Sequence, residues 1–365
     1  MKKAEMELFL DLCKPENTVD EEVKDSISLT ASPEVLGQLF FNRMAGVAYT
    51  VLLKNNLLRE VNREFRTSLQ NAYLQNTFKN SSFYKCVDRV SKILSGIDYV
   101  MLKGAVLCAT YPKGCRTSND IDILVSPDDI NIVDYALRSN GFLQGSVSND
   151  IFIPATRREI IGSRMSRGET VPYIKEVGLP FMKHLEVDVN FSLDYKNSSP
   201  GILKKMISNG VFKELHDSKF RTLDEIDFFI HLCCHLYKEA TTMPWIKMRR
   251  DMTLYKYCDI FLLLRSFDEK KVNAVFDRAD EYELDDVCAA VIKWTTEIFG
   301  IGSSYAEAVA DSRLELDKTI LRRVISPSDN KTFLYTEKNA RKRFFADNRV
   351  RLLKEEADNE KTANV

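Results

Sequence analysis

The stretch Tyr99–Val125, YVMLKGAVLCATYPKGCRTSNDIDILV, decides how the rest of the chain is read. Its last seven residues, Asn119-Asp120-Ile121-Asp122-Ile123-Leu124-Val125, alternate as a strand. Asp120, Asp122 and Leu124 fall on one face, and Ile121, Ile123 and Val125 on the other. Two carboxylates on one face of an otherwise apolar strand are unfavourable, because each is desolvated and repels the other. A divalent cation replaces that repulsion with attraction. A lone DxD also occurs on exposed strands and at turn ends, so the pair takes its meaning from what precedes it.

Upstream, Asp98–Leu102 reads as a short buried strand, Lys103-Gly104 breaks it, and Ala105–Tyr111 reads as a turn or two of helix. A glycine between strand and helix admits backbone N–H groups to a phosphate, and a helix start favours negative charge. Lys103 and Arg116 bring two cations toward the same anion. Strand, glycine turn, helix, basic loop and DxD strand make the layout of a metal-assisted nucleotide site.

Leu102-Lys103-Gly104, Tyr111-Pro112, Arg116 and Asp120-Ile121-Asp122 together resemble a known family. The segment is similar to the DNA polymerase β-like nucleotidyltransferase superfamily, in which a Gly-Ser or Gly-Gly turn precedes a DhDh strand. It resembles more closely a branch of bacterial nucleotidyltransferases with an LKG…YP…R…DID pattern set between two helical regions. The resemblance implies an α+β fold: a small mixed β-sheet nucleotidyltransferase core flanked by N-terminal and C-terminal helical regions. The expected division is residues 1–95 for the N-terminal helices, 96–195 for the core, 196–350 for the C-terminal helices and 351–365 for a charged, frayed tail.

A second strand is read at His184–Phe191, where Leu185, Val187, Val189 and Phe191 share one face and Glu186, Asp188 and Asn190 the other. The resemblance implies that a carboxylate on this strand completes the DxD pair. Asp188 is the candidate, because Asp188-Val189-Asn190 follows the family's D-h-H pattern with Asn in place of His. Glu186, on the same face, is the competing ligand.

The remaining segments read mostly as helices. Ser32-Pro33-Glu34 signals a helix start, and apolar residues recur at helical spacing from Leu36 to Leu58. Two more helices, to about Lys79 and from Ser82 to Ser95, complete a block read as scaffold. Ser126-Pro127-Asp128-Asp129 starts a helix that stops at Gly141. Ile151–Pro154 and Val171–Ile174 are candidate strands, and the basic stretch with Arg157, Arg158, Arg164 and Arg167 between them reads as a solvated loop. From about Pro200 the chain reads as helical to its end, with a charged helix from about Glu337.

Leu223–Lys238 carries His231 and His235 at i and i+4, but HxxxH lacks the Glu of the HExxH metalloproteases, so a packed pair is the plainer reading. The resemblance adds a His followed three residues later by Lys, which His235 and Lys238 match, lining the nucleotide or acceptor pocket. Tyr255–Arg265, with Asp259 inside it, resembles the family's late D-h-x-h-L-L helix.

Composition narrows the class. Fifty-two basic and 53 acidic residues leave a net charge of −1, with no overall pull toward nucleic acid or membrane. No apolar run approaches the roughly 18 residues of a membrane span. The opening MKKAEMELFLDL, broken by Glu5, Glu7 and Asp11, is a poor signal peptide. Eight scattered cysteines without a CxxC read as free thiols in a reducing cytoplasm.

The resulting expectation is a cytoplasmic enzyme that moves a nucleoside monophosphate from an NTP to an acceptor and releases pyrophosphate. Asp120, Asp122 and Asp188 would hold one or two Mg²⁺ ions, while Lys103, Gly104, Arg116, Asn119, His235 and Lys238 would contact the nucleotide, with ATP the expected donor. The acceptor class, whether small molecule, peptide or protein, is not legible, and neither membrane nor nucleic acid is expected. The alternative is a catalytically idle nucleotidyltransferase-like binding module. A kinase ranks last, because neither GxGxxG nor GxxxxGK[ST] occurs.

Overall fold

Helix-start chemistry in the first hundred residues acts much as its signals dictate, but the helix lengths differ from the periodicity. The computed structural model describes residues 1–166, 168–193, 200–300 and 304–356. The chain forms two units, Met1–Phe228 and Phe229–Val365. The first begins with α1 (Lys3–Leu12), α2 (Glu21–Thr30) and α3 (Pro33–Phe41), the last capped by Ser32 Oγ accepting from Val35 N. The apolar repeat from Leu36 to Leu58 is not one helix. The backbone turns left-handed at Arg43, φ +57°, and α4 (Ala45–Lys54) starts afresh.

The next segment departs in the opposite sense. The two expected helices are one 31-residue helix, α5 (Arg63–Ile93). Asn80-Ser81-Ser82, weak helix formers, read as a break in isolation. In the fold, Asn80 Nδ2 donates to Arg116 O at 2.8 Å and Ser82 Oγ to Pro180 O at 2.8 Å, so tertiary bonds carry the helix through.

Then follow β1 (Tyr99–Met101), α6 (Gly104–Thr110), β2 (Asp120–Val125), α7 (Ile130–Ser139), β3 (Leu143–Ser148), β4 (Ile151–Pro154), α8 (Arg157–Ser166), β5 (Tyr173–Leu179), β6 (Met182–Asn190), α9 (Pro200–Ser208), β7 (Val211–Leu215) and β8 (Ser218–Thr222). These strands form one eight-stranded sheet in the order β4-β3-β5-β6-β2-β1-β8-β7. The β2–β6 and β1–β8 pairs are parallel and the other neighbours antiparallel, so the sheet is mixed as expected but larger than the small sheet anticipated. The β7–β8 hairpin lies where helix was expected. Its turn residues His216 and Asp217 both take positive φ, +50° and +63°, a conformation that Asn-Gly signals far more clearly. The Arg157–Arg164 stretch is helical rather than a loop, and Arg167 lies outside the described residues.

The apolar faces of β2 and β6 are buried through Ile121, Ile123, Val125, Leu185, Val187 and Val189. Helix α5 is tied to this core through Tyr84, whose Oη donates to Ala105 O at 3.1 Å and whose carbonyl accepts from Ser218 Oγ at 2.8 Å.

Helix α10 (Glu225–Ala240) runs from the first unit into the second. The second unit continues with α11 (Met243–Lys247), α12 (Leu254–Ser266), α13 (Glu269–Glu281), α14 (Asp285–Phe299), α15 (Ser304–Arg313), β9 (Arg323–Ser326), β10 (Lys331–Tyr335), α16 (Ala340–Phe344) and β11 (Leu353–Glu355). Strands β11, β10 and β9 form a three-stranded sheet in a region read as helical. The charged segment from Glu337 yields only the five-residue α16 before Arg349 closes a bidentate pair, 2.7 Å to each oxygen, on fully buried Asp251. The sequence Gly300-Ile301-Gly302 reads as a helix break: Gly300 ends α14 in a left-handed turn, φ +63°, while residues 301–303 and the tail after Glu356 lie outside the described residues. All eight cysteines are free and buried, and no described helix is long and apolar enough to cross a membrane.

Candidate active site

The carboxylates meet through strand register. In the parallel pair β2–β6, Asp122 lies opposite Asp188 and Asp120 opposite Glu186. Paired residues of neighbouring strands project to the same face, so four acidic side chains rise from one patch of sheet. Each carboxylate feels the others. The Glu186 carboxyl is raised by burial and then by Asp120 and Asp122. That of Asp188 is raised well above the usual range by burial first, then by Asp122, Glu186 and Asp120, with Lys103 pulling the other way. The sequence left Glu186 and Asp188 as alternatives. The structure brings both alongside the DxD pair, with Asp188 directly opposite Asp122.

Lys103 is the cation set against this patch. Its Nζ donates to Asp122 Oδ1 at 2.9 Å, and both side chains are largely buried. Its backbone is strained: φ +35° and ψ −104° belong to a region that suits glycine and that L side chains avoid. A lysine held there keeps its ammonium on Asp122 at a conformational cost of about 1–3 kcal/mol.

Gly104 is needed for space. A Cβ there would stand 2.5 Å from Ser118 Oγ and 2.6 Å from Ser118 Cβ. Ser118 Oγ in turn donates to Asp120 Oδ1 at 2.7 Å, so the glycine seats the serine that orients the first carboxylate. The Ala105 amide is engaged with Leu102 O at 3.3 Å. Asn190, in the position of the family's His, is buried, and its Nδ2 donates to Ile123 O at 3.3 Å and Asp188 O at 3.4 Å. It braces the backbone beneath the acidic patch.

The loop before Asp120 is clamped by helices that the sequence offered only as scaffold. Asn76 Nδ2 donates to Gly114 O at 3.0 Å, and Lys79 Nζ donates to Asn119 Oδ1. Arg116 is buried, with Nη1 donating to Thr117 O at 2.5 Å. Asn76, Lys79 and Asn80 recur at i, i+3 and i+4, a polar face that could have signalled this role within α5.

The remaining expected site residues are placed as follows. His235 and Lys238 lie on α10 within the second unit, where His235 Nε2 is 3.2 Å from Glu239 Oε1 and Glu239 is also paired with Lys256. Asp259 is buried in α12. Arg164 reaches Asp134 at 3.8 Å, while Arg157 and Arg158 are exposed.

Whether this patch suits a metal ion is a question of donors and charge. Oxygen donors crowded until two of them are driven toward the protonated form are the hard, anionic set that a small divalent cation satisfies. The residues fit such an ion in chemistry. Among the described residues, no three His, Cys, Asp or Glu side chains already stand as a ready metal cage. Asp122 is instead engaged by Lys103, and Asp120 by Ser118.

The fold and site therefore define an α+β protein whose mixed sheet gathers carboxylates from adjacent strands beside a strained, lysine-bearing turn. The chain belongs to the family described as uncharacterised nucleotidyltransferase, whose model matches residues 31–300. That span takes in α3, α4 and α5 as well as the sheet and α10. No curated protein matches the chain.

Proposed function

We propose that the protein is a metal-dependent nucleotidyltransferase of the DNA polymerase β-like type, which moves a nucleoside monophosphate from an NTP, with ATP the first donor to test, to an acceptor hydroxyl. The observation that carries this reading is the β2–β6 register, which sets Asp122 opposite Asp188 with Lys103 beside them. Asp120, Asp122 and Asp188 are the residues that would hold one or two Mg²⁺ ions. Such an ion supplies charge neutralisation and orientation for in-line displacement at phosphorus.

The chain's own groups supply the rest. Ser118 fixes Asp120 through its 2.7 Å hydrogen bond, and Asn190 braces the Asp188 backbone. Asp188, which would also help hold an ion, would take the acceptor's proton in its ionised form. Lys103 offers a cation for the charge that develops on the leaving pyrophosphate. Arg116 and Asn119, in the clamped loop that leads into Asp120, line a cavity of their own.

The test is Mg²⁺-dependent release of pyrophosphate from each NTP in turn, with a pool of small molecules and peptides as acceptors. Release that needs Mg²⁺ and is lost in Asp122→Asn supports the reading. An identical rate in that variant, or transfer of a single phosphate to the acceptor, rejects it.

A further inference from the structure

The block of helices before the core carries a feature that a scaffold does not need. Helices α3 and α5 and the loop 113–119 enclose a cavity of about 280 Å³ bordered by Phe40, Arg43, Gln75, Asn76, Arg116 and Asn119. Two of its lining residues are arginines and none is acidic. Asn119, on its rim, immediately precedes Asp120, the first carboxylate of the DxD pair.

Its walls are built to hold their shape. Gly46 lies so close to the loop that a Cβ would fall 2.1 Å from Gly114 O. Gly114 itself has φ +76°, a Cβ there would fall 2.5 Å from the Tyr73 ring, and its carbonyl receives the Asn76 amide at 3.0 Å. Lys79 stands next to this cavity, with its Nζ on Asn119 Oδ1. It is partly buried; desolvation lowers its pKa, the Asp120 charge acts to raise it, and the Arg43 charge to lower it again. Arg43 and Lys79 therefore feel each other across the rim. Like charges gathered on one concave surface raise its potential and favour an anion within it.

We propose that this cavity seats the β- and γ-phosphates of the donor nucleotide, held by Arg43 and Lys79 from the helical block together with Arg116. The inference rests on the transferase reading above. In the reaction the acceptor oxygen bonds to the α-phosphorus as the bond from that phosphorus to the bridging oxygen breaks. The bonding pair leaves with pyrophosphate, and the acceptor's proton passes to the Asp188 carboxylate. Arg43 and Lys79 meet the departing charge where it accumulates, and guanidinium groups offer paired donors to phosphate oxygens.

The probe is inorganic pyrophosphate, titrated calorimetrically into the full chain, followed by KM for the NTP. Arg43→Asn tolerates the left-handed backbone at that position, and Lys79→Gln keeps a donor for Asn119. Each is expected to weaken pyrophosphate binding about tenfold, with the thermal midpoint unchanged, and Lys79→Arg to restore it. Failure of the wild type to bind pyrophosphate overturns the inference, as does wild-type affinity in both variants. If the wild type releases pyrophosphate from an NTP while the two variants keep its KM, the subsite falls and the transferase reading stands. If pyrophosphate binds through Arg43 and Lys79 but no NTP is turned over, the transferase reading falls and the anion site stands.

Discussion

Asp122 and Asp188 lie opposite each other in the parallel register of β2 and β6, and Lys103 Nζ is hydrogen-bonded to Asp122 at 2.9 Å. A carboxylate pair with a lysine beside it leaves negative charge for a cation to offset.

Removing either DxD carboxylate should abolish transfer. Asp120→Asn and Asp122→Asn are isosteric, so the strand should persist while activity falls by more than about 100-fold, beyond what residues supporting a metal ligand typically contribute. Circular dichroism and pyrophosphate release on the same samples check both halves of the claim.

The acidic patch should also set a pH dependence of stability. Asp188 and Glu186 are both raised, so between their unfolded and folded pKa values the folded chain binds more protons than the unfolded one. Stability falls with rising pH in that window. Their contribution is fully present below the ordinary carboxylate range and is lost as pH rises through the folded values. Urea midpoints of metal-free protein from pH 4.5 to 8 should therefore decline less in Asp188→Asn than in wild type. Equal slopes would remove the electrostatic account of the patch.

Lys103 separates backbone strain from charge. Lys103→Gly and Lys103→Ala both delete the ammonium, but only glycine is at ease at φ +35°. The glycine variant should be the more stable of the two by about 1 kcal/mol or more in denaturant unfolding. Both should lose activity.

Gly46 offers a test in which the sign itself is informative. Ala is favoured over Gly in helices by at most about 1 kcal/mol, and by less in the first turn where Gly46 lies, so propensity alone expects Gly46→Ala to stabilise α4 slightly. The 2.1 Å approach to Gly114 O instead makes the variant overpacked, with a net loss of about 1–3 kcal/mol. A gain in melting temperature would show that the 113–119 loop is not clamped as described.

The DxD strand was legible because its two faces differ in chemistry, and the same holds for Leu185–Phe191. Their pairing was not, because nothing local relates Asp122 to a residue 66 positions later; the β2–β6 register needs the whole sheet. The length of α5 was hidden for a related reason: Asn80 and Ser82 break helices in isolation but here bond to Arg116 O and Pro180 O. The His216-Asp217 hairpin lacked the Asn-Gly signature of its turn, so a helix was read in its place. Arg43 and Lys79 escaped notice because surface cations on helices are common, and only the fold sets Arg43 in the wall of a cavity and Lys79 on Asn119 at its rim.

The most direct measurement is calorimetric titration of Mn²⁺, as a surrogate for Mg²⁺, into the full chain with a non-hydrolysable ATP analogue present, in wild type and in Asp122→Asn and Asp188→Asn. Saturable binding of one or two ions by the wild type, lost or weakened more than tenfold in both variants, is the result expected of a cation held between β2 and β6. Equal binding in all three proteins, or none in the wild type, would contradict it.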